Sequence, residues 1–122
     1  AEKLTELINF VRSLGMEPLV EVHNEAEMTT ALHSSARIIG INNRDLQSFT
    51  VDIATTEKIM AKLSAADQKD RIFVAESGIG SADHIQRMAG AGVKAVLVGE
   101  ALIRSGTPAE TISEWLAAAR GR

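Results

Sequence analysis

Cysteine is absent from the chain. That one absence excludes disulfides, thiolate nucleophiles and cysteine-based zinc or iron–sulfur centres. Aromatic residues make up only 3% of the sequence against nine glycines, so the core must be aliphatic and the backbone turns tight, as in many α/β enzymes. Charge of one sign is also missing. The net charge is −3 and the pI about 5.6, with Lys and Arg scattered along the chain, which offers no basic field to a nucleic-acid backbone. No apolar run approaches the ~20 residues of a membrane span, and Ala1-Glu2-Lys3 lacks the basic-then-apolar layout of a signal peptide. The expectation is therefore a soluble, cytoplasmic protein with neither nucleic acid nor membrane as a partner. What remains is ordinary globular composition, 45% hydrophobic and 24% charged over 122 residues. Such a chain is too apolar for disorder and has the length of a single domain over 1–122.

Periodicity divides the chain into one leading helix and four strand–helix units. Leu4, Leu7, Ile8, Val11 and Leu14 fall on one helix face, which Gly15 can close in a left-handed cap. The branched run from Pro18 to His23 predicts a strand, and Asn24 with Glu27 predicts a capping box that opens the next helix. The pattern then repeats three times. Arg37–Ile41 leads to a helix capped by Asp52 and running to Leu63, Ile72–Ala75 leads to one opened by Ser81, and Ala95–Val98 leads toward Thr107. Thr107-Pro108-Ala109-Glu110 reads as a capping box with Pro at the first helical position, and Ile112, Trp115 and Leu116 as the buried stripe of the last helix.

Strands alternating with helices through short connections imply a parallel sheet with right-handed crossovers. Two architectures fit four such units: half of a (βα)8 TIM barrel, or an open, flavodoxin-like doubly wound sheet. Side-chain alternation favours the half-barrel. It puts Leu19, Glu21 and His23 on one face, with Ile38, Gly40 and Asn42, then Ile72, Val74 and Glu76, then Ala95, Leu97 and Gly99. That face is apolar at the N-terminal strand ends and polar or bare at the C-terminal ends, like a barrel interior with a packed floor and an open mouth.

Several residues at that mouth carry chemistry. Glu21 and Glu76 occupy equivalent strand ends, where a general base and a substrate-holding carboxylate belong, although two solvated loop-edge acids would look the same. Asn42-Asn43-Arg44-Asp45 closes the second strand. Its amides can hold hydroxyls and Arg44 can bind a carboxylate or pair with Asp45, or the run can be a plain turn. Ser77-Gly78-Ile79-Gly80-Ser81 and Gly99-Glu100 each connect a strand to a helix, a layout that lets backbone N–H groups approach an anion. Two such turns after neighbouring strands resemble the phosphate site that many barrels build from their last loops. No lysine of a triphosphate loop accompanies them. His23, His33 and His84 share no metal-ligand spacing and read as surface or capping residues, so neither a metal nor a cofactor is expected.

These residues together resemble one family. Leu19-Val20-Glu21-Val22-His23, Ile39-Gly40-Ile41-Asn42-Asn43-Arg44-Asp45-Leu46, Ala75-Glu76-Ser77-Gly78-Ile79 and Val96-Leu97-Val98-Gly99-Glu100-Ala101-Leu102 are similar to strand-end motifs five to eight of indole-3-glycerol phosphate synthase, in order. The resemblance implies a (βα)8 barrel and a carbon–carbon lyase of tryptophan biosynthesis that closes and decarboxylates a carboxyphenylamino-deoxyribulose phosphate. It further implies that Glu21 is the catalytic acid–base carboxylate, with Asn42 and Glu76 also in the catalytic set and in contact with substrate. Arg44 and Ser77 would bind substrate at the mouth, and Gly78, Gly99 and Glu100 would hold the phosphate. The family's first four strands and their lysines have no counterpart here. Lys3, Lys58, Lys62, Lys69 and Lys94 all fall on helices or connections. The chain therefore reads as a C-terminal half-barrel, inactive alone, whose partners would be a phosphorylated substrate or free phosphate and either an N-terminal half-barrel or a second copy in a homodimer. A non-catalytic phosphate-binding module or an assembly unit is the alternative reading.

Overall fold

The computed structural model describes residues 2–121. Its elements run α1 (Glu2–Ser13), β1 (Leu19–Val22), α2 (Glu25–Leu32), β2 (Ile38–Asn42), α3 (Ala54–Ala61), α4 (Ala65–Gln68), β3 (Ile72–Glu76), α5 (Ala82–Ala91), β4 (Ala95–Leu97), α6 (Glu100–Ser105) and α7 (Pro108–Arg120). Most boundaries follow local chemistry. Gly15 takes the left-handed backbone after α1 (φ 83°), where a residue with a Cβ is disfavoured. Asn24 accepts the Glu27 N–H at 2.8 Å, while the Glu27 carboxylate accepts the N–H of His23 rather than that of Asn24. Ser81 caps α5 by accepting the His84 N–H at 3.2 Å. Asp52 acts one residue before the N-cap position, which Ile53 occupies without a side-chain bond, and accepts the Ala54 N–H at 2.9 Å.

Three local expectations are corrected. Thr107 makes no side-chain cap bond, because its backbone (φ −135°, ψ 63°) lies outside the extended conformation of an N-cap, and α7 opens on Pro108 alone. Of the expected stripe on α7 only Trp115 is buried, with Ile112 and Leu116 exposed. The helix after Asp52 stops at Ala61, and α4 follows with its own Ser64–Asp67 capping box. Ala-Ala-Asp-Gln has no apolar stripe for periodicity to detect.

The four strands form one parallel sheet in the order β1-β2-β3-β4, with Glu21 opposite Gly40, Gly40 opposite Val74 and Asn42 opposite Glu76. A sheet that always advances in one direction through crossovers of one hand carries its helices on one face. A doubly wound sheet reverses direction at a switch point and is covered on both faces. The strand order therefore removes the flavodoxin-like alternative and leaves the winding of a barrel, with four of its strands.

Burial agrees with one-sided winding. Val20, Val22, Ile39, Ile41, Phe73 and Ala75 form one core cluster with Ile8, Met28, Ile59, Met60, Ile85, Met88 and Trp115 from the helices. On the other face Leu19, Ile72 and Leu97 are 42%, 46% and 55% exposed. Ile38 is half-buried there, and Val74 is buried but stands outside the helix-side cluster. The leading helix does not shield this face, because α1 inserts Ile8 into the helix-side core. Among the described residues no helix is long and apolar enough to cross a membrane.

Candidate active site

The C-terminal ends of the strands bring two carboxyl groups together over a glycine. Gly40 stands between Glu21 on one side and Val74 on the other, and the side chain of Glu76 leans back along β3 into the space above it. A Cβ on Gly40 would collide with the Glu76 carboxylate and come within 3.2 Å of Leu19 Cδ1. Glycine here is thus a requirement of close approach rather than of backbone freedom. Glu76 is only 6% exposed, and its Oε2 is buried with no hydrogen-bond partner. Burial first, then the close approach of the Glu21 carboxyl and its charge, push the Glu76 carboxyl up to about 7. Two carboxyls this close cannot both ionise freely in a desolvated place, so the pair retains a proton near neutrality. That is the state from which a carboxyl can donate a proton as well as accept one.

Next to the pair, side-chain amides fix the loop. Asn42 Oδ1 accepts the Ser77 hydroxyl at 2.7 Å and the Arg44 N–H at 3.0 Å. Asn43 points to the opposite side and is buried. It donates from Nδ2 to the Ser77 carbonyl at 3.1 Å, and its Oδ1 accepts from both the Thr56 N–H and the Thr56 hydroxyl. The two amides therefore clamp Ser77, which holds a left-handed backbone (φ 68°) without being glycine. Such a conformation costs on the order of 1 kcal/mol or more and persists where its surroundings over-determine it. Gly78 follows at φ 79°, and a Cβ there would lie 2.5 Å from Val51 Cγ1.

Behind this turn, Arg44, Ser77, Gly78, Gly80, Gly99 and Glu100 line a cleft of about 510 Å³ that opens between β3 and β4. All of the site residues expected from sequence thus gather at one end of the sheet. Glu21 and Glu76 meet each other, Asn42 meets Ser77, and Arg44, Gly78, Gly99 and Glu100 share the cleft. The suggested Arg44–Asp45 pair is not formed. Arg44 Nη1 donates to the Phe49 carbonyl at 3.2 Å, while the Asp45 carboxylate accepts the N–H groups of Gln47 and Ser48, which hold it below the usual carboxylate range. Glu100 directs its carboxylate to Arg104 at 2.7 Å, and Arg104 lines the same cleft.

Two contributors escape a reading of residue types. Asn43 looks like a turn residue, yet alternation along β2 already sets it on the helix side, opposite to Asn42. His23 is not a free surface residue. Its Nε2 lies 3.1 Å from Glu21 and its Nδ1 3.1 Å from Glu27, and the signal for this is its spacing, two residues after Glu21 and four before Glu27.

Comparison with known proteins agrees with this layout. In structure, the chain is similar to a chain of the Amycolatopsis orientalis BexX/CysO complex, with a TM-score of 0.70 over 96% of this chain and 47% of that one, at 22% identity. That likeness speaks for the fold alone. In sequence, the chain is 46% identical over 104 residues to the indole-3-glycerol phosphate synthase of Bacillus mycoides and 45% identical over 116 residues to that of Acetivibrio thermocellus. It is also 47% identical over 115 residues to the multifunctional tryptophan biosynthesis protein of Schizosaccharomyces pombe, of which it covers 15%. These matches take in 85%, 95% and 94% of the chain, while the chain spans only 40% and 43% of the length of the two bacterial relatives. The family model described as indole-3-glycerol phosphate synthase matches residues 1–115, and with the strand-end motifs in place along that whole stretch, the chain belongs to the indole-3-glycerol phosphate synthase family.

Proposed function

We propose that the chain supplies strand–helix units five to eight of an indole-3-glycerol phosphate synthase barrel and carries its acid–base carboxylate, Glu21, and its phosphate cradle. The observation that carries this reading is the meeting of Glu21 and Glu76 over Gly40, with a carboxyl held up to about 7. In this reading the paired carboxyls pass protons to and from the substrate during ring closure and dehydration. Asn42 and Ser77 form a fixed hydrogen-bonding edge beside them, and Arg44 offers a cation. The N–H groups of the turns at Gly78 and at Gly99-Glu100 take the phosphate.

By itself the chain is expected to be inactive in ring closure. Among the described residues Lys3 and Lys58 lie on helices, Lys62 and Lys69 at helix C-termini, and Lys94 before β4, so no ammonium stands at the mouth to protonate or clamp the substrate. Losing such groups removes factors of about 10²–10⁴ each. Mixing the chain with the first four strand–helix units of a bacterial relative should restore indole-glycerol phosphate formation, and Glu21→Gln should abolish it. If the mixture closes no ring while phosphate still protects the chain from unfolding, the non-catalytic phosphate-binding reading, favoured by the Gly-rich cleft, takes its place.

The bare face implies a partner. Leu19, Ile72 and Leu97, each about half exposed, forgo part of the roughly 1.5–3 kcal/mol that full burial of such a side chain supplies, and both sheet edges are open. An N-terminal half-barrel would cover them, and in its absence a second copy is expected to do so, giving a concentration-dependent dimer in sedimentation equilibrium. A strict monomer across the micromolar range sinks the self-association reading.

A further inference from the structure

Glu21 has a second titratable neighbour that the proposal above leaves idle. His23 is held from the far side by α2, where Glu27 Oε1 accepts the His23 backbone N–H at 2.7 Å and stands 3.1 Å from its Nδ1. A carboxylate oxygen only accepts, so the proton of the ring contact sits on Nδ1. Nε2 then becomes the open position of the neutral ring. It is buried, has no hydrogen-bond partner, and lies 3.1 Å from Glu21 Oε2, at ion-pair distance but off the line of a hydrogen bond. A modest turn of the more exposed Glu21 side chain would bring the two into line.

The surroundings concentrate negative charge on this ring. Glu21 faces it from β1, Glu27 from α2, and Asp45 from the loop after β2, whose carboxyl feels the His23 charge. Arg44 lines the same cleft as the ring. On its other side Glu21 meets Glu76, so the Glu21 carboxyl lies between a proton-retaining acid and an imidazole nitrogen. Glu27, His23, Glu21 and Glu76 thus form a row from half-exposed surface to buried mouth.

We propose that His23, fixed by Glu27, is a positioning residue that holds Glu21 over the mouth and exchanges its proton through Nε2. In that step a proton passed to Glu21 from Glu76 or from substrate moves on: the Glu21 O–H bond breaks and an Nε2–H bond forms, leaving a carboxylate and an imidazolium whose Nδ1–H still donates to Glu27. The reverse transfer restores the acid. The inference rests on Glu21 being the acid–base group proposed above.

The test is the ring tautomer of His23, read by long-range proton–nitrogen correlation on the full chain labelled at its three histidines. The unaltered chain should show the Nδ1–H form, Glu27→Ala should lose it, and Glu21→Ala should shift the Nε2 signal while leaving Nδ1–H in place. His33 and His84 in the same spectra report whether a variant has kept its fold, and Glu21→Gln reads the same Nε2 if Glu21→Ala has not. Two equally populated tautomers in the unaltered chain, or an Nε2 signal indifferent to Glu21, overturn the proposal. In the complemented ring-closure assay His23→Gln should lower kcat about tenfold with KM nearly unchanged. A loss on Glu21→Gln with none on His23→Gln sinks the role of His23 and leaves the proposed function standing. If the complemented unaltered chain is inactive the proposed function fails, while the nitrogen signals still decide whether His23 holds Glu21.

Discussion

Ile72 and Phe73 are adjacent in β3 and meet opposite surroundings. Phe73 is fully buried in the helix-side core, whereas Ile72 points to the other face and stays half exposed. The same contrast separates Val20 from Leu19 and Val96 from Leu97. One face of the sheet is finished as a folding unit. The other is apolar at its floor and carries Glu21, Glu76 and Asn42 at its mouth, so it is finished only as half of an enclosure. Stability and chemistry have been divided between alternate residues of the same strands, and a substitution at one parity should be felt in a different measurement from one at the other.

The contrast can be broken most severely at Phe73. Phe73→Ala should cost about 3–5 kcal/mol in denaturant unfolding, against well under 1 kcal/mol for Ile72→Ala in the monomer. Equal losses would mean the bare face is covered in solution. Asn43→Ala leaves Thr56 and the Ser77 carbonyl without their partner, and should cost about 1–3 kcal/mol while loosening the clamp on Ser77, seen as a changed Ser77 amide signal.

Glu76 sharpens the comparison through pH. The folded chain keeps its proton up to about 7, whereas the unfolded chain releases it in the ordinary carboxylate range. Across that window the folded state binds more protons, so unfolding free energy falls as pH rises. Glu76→Gln should remove that fall and stabilise the chain by on the order of 1–3 kcal/mol near pH 8 while changing little near pH 4. A parallel pair of pH curves would place the Glu76 carboxyl in water. The smallest effect on stability belongs to Leu97→Lys, expected within about 0.5 kcal/mol for an exposed position. It should nevertheless abolish concentration-dependent mass in sedimentation if the bare face pairs with a second copy.

Much of this was legible in residue order. Alternation of branched runs with capped helices announces the parallel sheet, and parity within each strand assigns Val20, Ile39 and Phe73 to one face and Leu19, Glu21 and Glu76 to the other, because side-chain direction along a strand is local geometry. The glycine turns and the two carboxylates could be located for the same reason. Local chemistry misleads where it competes with the tertiary frame. Thr107 has the residues of a capping box but not the backbone for one, and α4 forms without an apolar pattern because Ser64 and Asp67 cap each other.

Other features depend on elements far apart in sequence. One-sided winding is set by the direction in which successive strands add, a choice that both candidate folds leave open at the level of single units. The raised proton affinity of Glu76 arises because β2 places a glycine where a side chain would otherwise stand, so that the carboxyl can lie buried against Glu21 of β1. Asn43 becomes a strut only when Thr56 and Ser77 arrive on either side of it, and His23 reaches Glu21 with its ring held by α2. The sequence by itself determined which side chains share a face and which strand end carries acid, amide or glycine. Distances, burial and proton affinity were decided by the tertiary structure alone, because desolvation and charge coupling depend on what three separate strands bring within a few ångströms of one another.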